Sequence, residues 1–178
     1  DCLPMHEAGD APHKSRVAGR MHACGHDGHT TMLLGAARYL AQTRNFDGTV
    51  NLIFQPAEEG GGGGRVMVEE GLFQRFPCEA VYALHNWPGL PPGKIAVRPG
   101  PMLAATDEIR IKVRGKGGHA ALPHLAADPV VAAAHIITAL QTVASRNASP
   151  VDALVVSLCS MQTSQLGAFN VIPGHVEL

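Results

Sequence analysis

The stretch Met21-His22-Ala23-Cys24-Gly25-His26-Asp27-Gly28-His29-Thr30-Thr31 decides how this chain is read. Histidines, a cysteine and an aspartate crowd between residues 22 and 29, with Gly25 and Gly28 on either side of His26. Directly afterwards Leu33, Ala36, Ala37, Leu40 and Ala41 recur at the three-to-four spacing of an amphipathic helix, which predicts a helix from about Asp27 to Arg44. The cluster therefore sits on a loop entering a helix, where backbone N–H groups favour negative charge. Thiolate and imidazole are transition-metal ligands. Gly25 permits the tight bend that lets Cys24 and His26 reach one ion. A Cys-x-His pair also arises by accident. The competing chemistry is a cysteine nucleophile with a histidine base, although two residues apart on one turn is awkward geometry for that pair.

Beyond this helix, Thr49 to Phe54 reads as a short strand ended by Gln55-Pro56. Ala57-Glu58-Glu59 and the glycines Gly60 to Gly64 follow, then a short helix from Arg65 to Glu70 closed by Gly71. A second apolar run, Ala80 to Leu84, ends in His85-Asn86-Trp87-Pro88, and Lys94 to Val97 is a further strand candidate. Continuous apolar runs alternating with helices predict an α/β domain with a largely parallel sheet flanked by helices. Ligands bind beyond the carboxyl ends of such strands, and Glu58, Glu59 and His85 all lie just past predicted strand ends.

At Asp107 the texture changes. Ile109, Ile111 and Val113 alternate with Glu108, Arg110, Lys112 and Arg114, the pattern of a half-exposed antiparallel strand. Gly115-Lys116-Gly117-Gly118-His119 is a turn carrying a histidine. Asp128-Pro129 is a helix start, an N-cap followed by proline, and the helix is expected to run to about Ser145. Ala153 to Met161 and Phe169 to Leu178 read as strands. That order predicts part of a small α+β domain. The expected division is a catalytic domain over residues 1–105 and a second domain over 106–178.

Composition narrows the function classes. Apolar residues make up 46% and charged residues 16%, so a packed core is expected and disorder is not. The net charge is −1 and no lysine or arginine run occurs, which argues against nucleic acid and against a polybasic membrane surface. No apolar run reaches the roughly 18–20 residues of a membrane span. Cys2, Cys24, Cys78 and Cys159 are scattered without a Cys-x-x-Cys pair, and a reducing cytoplasm is the simplest compartment. The chain opens at Asp1 and stops in strand-like sequence at Leu178, so a piece of a longer protein is expected.

Glu58-Glu59 can divide the labour of hydrolysis, one carboxylate binding metal while its neighbour takes a proton from water. The bland alternative is a solvated surface pair. The glycine run beside it allows backbone to approach a ligand closely. His85 alone reads as a rim histidine, and His119 alone as an exposed loop histidine, although it could donate to a developing oxyanion. Asn170, before Val171-Ile172-Pro173, is a candidate substrate contact. His29 and Asp27 could orient a ligand. His6, His13, His22, His124, His135 and His175 are read as structural or solvated.

Together, Met21 to Thr30, Gln55-Pro56-Ala57-Glu58-Glu59-Gly60, Ala83-Leu84-His85-Asn86-Trp87-Pro88, Gly115 to His124 and Asn170-Val171-Ile172-Pro173 resemble the amidohydrolase branch of the aminoacylase/carboxypeptidase metallopeptidases. Hippurate hydrolases, N-acyl-amino-acid amidohydrolases and plant auxin-conjugate hydrolases belong to that branch. The resemblance implies hydrolysis of N-acyl or N-aroyl amino acids at a site of two divalent metals. Zinc fits the donor set, with manganese, cobalt or nickel as alternatives. It implies Cys24 as bridging ligand, His26, Glu59 and His85 as further ligands, and Glu58 as general base. It places His119 in a small ferredoxin-like lid or dimerisation domain, from which it serves the active site of the other copy in a homodimer. Asn170 matches a lid position that holds the substrate carboxylate. Family members extend beyond both ends of this sequence and carry a further histidine ligand near their C-terminus. The alternatives are a non-catalytic dimerising relative or inactive fragment, and a metal-free amidase dependent on Cys24.

Overall fold

A computed structural model describes residues 1–178. Contacts divide the chain into two compact units, Asp1–Val97 and Arg98–Leu178.

The first unit is organised on helix α1 (His26–Thr43). Gly25, in the left-handed region at φ 81°, turns the chain into the helix, and Arg44, at φ 46°, ends it by returning its N–H to the Leu40 carbonyl. Of the predicted stripe, Leu33, Ala37 and Leu40 are partly covered, whereas Ala36 and Ala41 are exposed. Three short helices follow: α2 (Glu58–Gly61), α3 (Gly63–Glu69) and α4 (Leu72–Arg75). Leu3 and Met21 form an antiparallel bridge that closes the N-terminal loop onto the segment entering α1.

The parallel sheet expected here is not among the observed pairings. Residues 49–54, 80–84 and 94–97 form no ladder, and Val50, Leu52, Phe54, Val81 and Leu84 remain exposed. A β-rich run marks a segment suited to a sheet, but a strand is defined by a neighbour's backbone, which local composition cannot supply.

The glycine run also differs from expectation. Its tightest requirement is internal: a Cβ on Gly63 would lie 1.7 Å from the Pro56 carbonyl oxygen. The glycines let α3 pack against the segment that carries Glu58 and Glu59.

The second unit contains β1 (Lys112–Arg114), β2 (Gly118–His119), helix α5 (Pro129–Thr142), β3 (Gln162–Thr163), β4 (Val171–Ile172) and β5 (His175–Glu177). One sheet has the order β1-β5-β3 and another pairs β2 with β4, all antiparallel. The alternation at residues 109–114 matches this pairing: Val113 faces Val176, and Ile111 exchanges both backbone bonds with Leu178. Asp128 caps α5 as expected, accepting from the N–H groups of Val130 (2.8 Å) and Val131 (3.4 Å). The helix passes into a wider π turn over Val143–Asn147. It packs on β5 and β1, and the core of the unit is Pro129 and Ala133 of α5 with Val176 of β5 and Ile172 of β4. The strand expected over residues 153–161 forms no ladder, for the same lack of a paired neighbour. No helix is long and apolar enough to cross a membrane.

Candidate metal centre

Cys24, His26, Glu58, Glu59 and His85 come together in the first unit. One ligand atom each of Cys24, His26 and His85 lie within 4.8 Å of one another, and the same holds for His26, Glu58 and Glu59. The first turn of α1 supplies His26 and the loop before it supplies Cys24. Glu58 and Glu59 open α2. Ala57 ahead of them is held at φ 50°, a left-handed conformation that costs a non-glycine residue about 1–2 kcal/mol. Backbone held in such a state beside a polar cluster is typical of functional sites.

Each imidazole is oriented by its outer nitrogen. His26 Nδ1 lies 2.6 Å from Asp1 Oδ1, so its N–H donates to the carboxylate. In the neutral ring that leaves His26 Nε2 bare, and it faces Glu58 Oε2 at 3.6 Å and Glu59 Oε1 at 3.9 Å. His85 Nδ1 donates to the Asn86 carbonyl at 2.6 Å, and its Nε2 faces Cys24 Sγ at 3.6 Å. Two lone pairs, a thiol and two carboxylates therefore point at one region. The side chain of His26 is only 13% exposed, whereas Glu58 is 60% exposed and open to water.

The electrostatics fit a cation. Asp1, Glu58 and Glu59 concentrate negative charge, and none of them pairs with a lysine or arginine. Desolvation pushes the Cys24 thiol pKa up, and the Glu59 and Glu58 carboxylates push it further. A divalent cation reverses that local balance, because it is the largest charge in its site and favours the thiolate. Sulfur, imidazole and carboxylate together are a zinc-type donor set.

Two residues at this centre carry no local sequence signal. Asp1 holds His26 through Oδ1 and accepts the Glu59 N–H at 2.7 Å through Oδ2, tying the two segments together. Asn86 contacts His29 and packs on Gly25. His29 lies beside the cluster, its ring centroid 4.3 Å from that of His85. Asp27 is exposed in the first turn of α1.

His119 and Asn170 belong to the second unit and are brought side by side there. The β2–β4 pairing sets His119 opposite Val171, and Ala120 N–H donates to the Asn170 carbonyl at 2.9 Å. His119 Nδ1 accepts from Ala121 N–H at 3.1 Å, so its ring proton lies on Nε2.

The chain is 47% identical over 173 residues to the hippurate hydrolase of Campylobacter jejuni, covering 97% of this chain and 44% of that protein. It is 48% identical over 179 residues to IAA-amino acid hydrolase ILR1-like 4 of Arabidopsis thaliana, covering 100% of this chain and 40% of that one. Its structure is similar to a crystal structure of the Bacillus subtilis YXEP protein, a dinuclear metal binding peptidase from the M20 family. The TM-score is 0.60 at 39% identity, covering 99% of this chain and 43% of that one. The chain thus spans less than half the length of these relatives. Residues 1–176 match peptidase family M20/M25/M40, and the chain belongs to that family.

Proposed function

We propose that this chain carries the metal-binding half of a hydrolase that cleaves the amide bond of N-acyl or N-aroyl amino acids. The observation that carries the reading is the convergence of Cys24, His26 and His85 with Glu58 and Glu59, without a lysine or arginine to neutralise them. In this reading Cys24, His26, Glu59 and His85 would hold two divalent ions, zinc or alternatively manganese, cobalt or nickel. When bound, the ions supply Lewis acidity that polarises a carbonyl and makes water acidic.

The chain's own groups do the rest. Glu58, whose side chain is open to water, takes a proton from the attacking water. The water oxygen bonds to the amide carbon, the C–N bond breaks, and Glu58 returns the proton to the departing amine nitrogen. Asp1 keeps the His26 proton on Nδ1, so that Nε2 stays a ligand atom. His119 offers its Nε2–H to the developing oxyanion, and Asn170 beside it takes the substrate carboxylate.

The proposed organisation assigns residues 1–105 to an α/β catalytic domain whose parallel sheet is completed in the whole protein. Residues 106–178 form a ferredoxin-like lid. Through that lid two copies dimerise, and His119 of one copy serves the site of the other. Names of similar proteins support the substrate class: a hippurate hydrolase, and the N-acetylcysteine deacetylase of Bacillus subtilis, 44% identical over 179 residues. The scattered cysteines, without a Cys-x-x-Cys pair, suit a reducing cytoplasm.

The test is Glu58→Gln. The variant retains its metal content and loses about 10²–10⁴ in turnover of a hippurate-type substrate, the usual contribution of a general base. Turnover preserved within a few-fold removes Glu58 from the mechanism.

A further inference from the structure

Asn86 stands at the junction of three contacts. Its carbonyl accepts the Nδ1–H of His85 at 2.6 Å. Its backbone N–H reaches His29 Nε2 at 3.1 Å, and its side-chain Oδ1 contacts the same nitrogen. His29 Nε2 holds residue 86 in either protonation state: bare, it accepts the N–H; protonated, it donates to Oδ1. The amide also lies flat against the turn between Cys24 and His26, where a Cβ on Gly25 would come within 2.8 Å of Asn86 Nδ2. His29 belongs to the first turn of α1, and its ring packs at 58° against that of His85.

We infer that His29 and Asn86 form a positioning pair: His29 clamps residue 86, and the clamped Asn86 carbonyl keeps the proton of His85 on Nδ1 and its Nε2 aimed at Cys24. The physical need is clear from exposure. His85 is exposed, and an exposed neutral imidazole otherwise exchanges tautomers and turns about its side-chain bonds. His26 is held by a carboxylate, whereas His85 has only a backbone carbonyl, whose position depends on what holds residue 86. The clamp runs from α1 to the loop after residue 84, so it also sets the approach of His85 to the Cys24 turn. This rests on the reading of His85 as a metal ligand.

The test uses four variants, His29→Ala, Asn86→Ala, the double variant and His85→Ala, with folding checked by circular dichroism and thermal melting. In metal-stripped protein at pH 8, long-range proton–nitrogen NMR reads the tautomer of His85. The parent shows Nδ1–H and His29→Ala a mixture of tautomers; Asn86→Ala, which keeps the backbone N–H that His29 holds, shifts the same way but less. Zinc affinity, read by competition with a chromophoric chelator, falls roughly 10- to 100-fold in His29→Ala, the usual effect of losing a group that orients a ligand, and by less in Asn86→Ala. The double variant is no weaker than the weaker single one, because both act through one contact. His29→Gln, which can still bond to residue 86, recovers most of the loss. It also keeps the test decisive if His29→Ala unfolds. Unchanged tautomer and zinc affinity in His29→Ala and Asn86→Ala overturn the inference. If those two are silent while His85→Ala loses zinc affinity, only the positioning pair falls. If His85→Ala leaves zinc affinity unchanged, the ligand reading falls and the pair with it.

Discussion

Asp1 and His26, far apart in sequence, meet at 2.6 Å, and the same carboxylate accepts the backbone N–H of Glu59 at 2.7 Å. One side chain thus fixes the tautomer of a candidate ligand and ties the Glu58–Glu59 segment to the start of α1. Asp1→Ala is expected to weaken zinc binding by roughly 10- to 100-fold. Asp1→Asn, whose amide oxygen still accepts from His26, is expected to recover part of it. Chelator competition on metal-stripped protein reads both, and an Asp1→Ala affinity equal to the parent's contradicts the orienting role.

Metal dependence separates three chemistries. Prolonged chelation is expected to abolish hydrolysis of an N-aroyl amino acid, with recovery on adding zinc, manganese, cobalt or nickel. Glu59→Gln is expected to lower metal content, in contrast to Glu58→Gln, which lowers turnover alone. Activity that resists chelation but disappears on alkylation of Cys24 points to a cysteine amidase. An intact dimer without activity under any metal points to a non-catalytic relative.

Gly25 is required twice over, by its φ of 81° and by Asn86 Nδ2, which lies 2.8 Å from where a Cβ would sit. Gly25→Ala is expected to lower stability by about 1–2 kcal/mol from the backbone term alone, with a further loss from displacing Asn86. Urea denaturation measures the first. Zinc affinity measures the second and should fall in parallel with that of Asn86→Ala.

In the second unit the hydrogen bond from Lys112, 2.7 Å from Glu177 Oε1, and the charge behind it hold the Glu177 carboxyl below its ordinary value of 4.5. A depressed carboxylate stabilises the fold above its unfolded pKa, and the increment fades as the pH falls through the folded one. The urea midpoint of the parent is therefore expected to exceed that of Lys112→Met at neutral pH. The two should converge below pH 4.5. The pair is exposed, so the gap is small. A gap that persists unchanged into strong acid shows that the increment does not come from this ion pair.

Local order was legible where it depends on near neighbours. The limits of α1 follow from the stripe at Leu33, Ala37 and Leu40, and the start of α5 from Asp128 and Pro129, because helix periodicity and capping act within one or two turns. The alternation around Ile111 and Val113 marks an antiparallel strand before its partner, Val176 to Leu178, is known. Cys24, His26, Glu58 and Glu59 were legible as chemistry from residue type and local setting, whereas His85 alone reads as a rim histidine and joins them through the family resemblance.

What the amino-acid sequence determined by itself was therefore three helices, α1, α3 and α5, the N-cap of α5 and the identity of the candidate ligands. Tertiary structure decided which groups hold those ligands: Asp1 on His26, and Asn86 and His29 on His85. It also decided which apolar runs become strands, admitting residues 112–114 and 175–177 and leaving 49–54 and 80–84 unpaired. The reason is range. A helix closes its hydrogen bonds four residues away, whereas a strand or an oriented imidazole takes its partner from distant chain, and local periodicity carries no record of that partner.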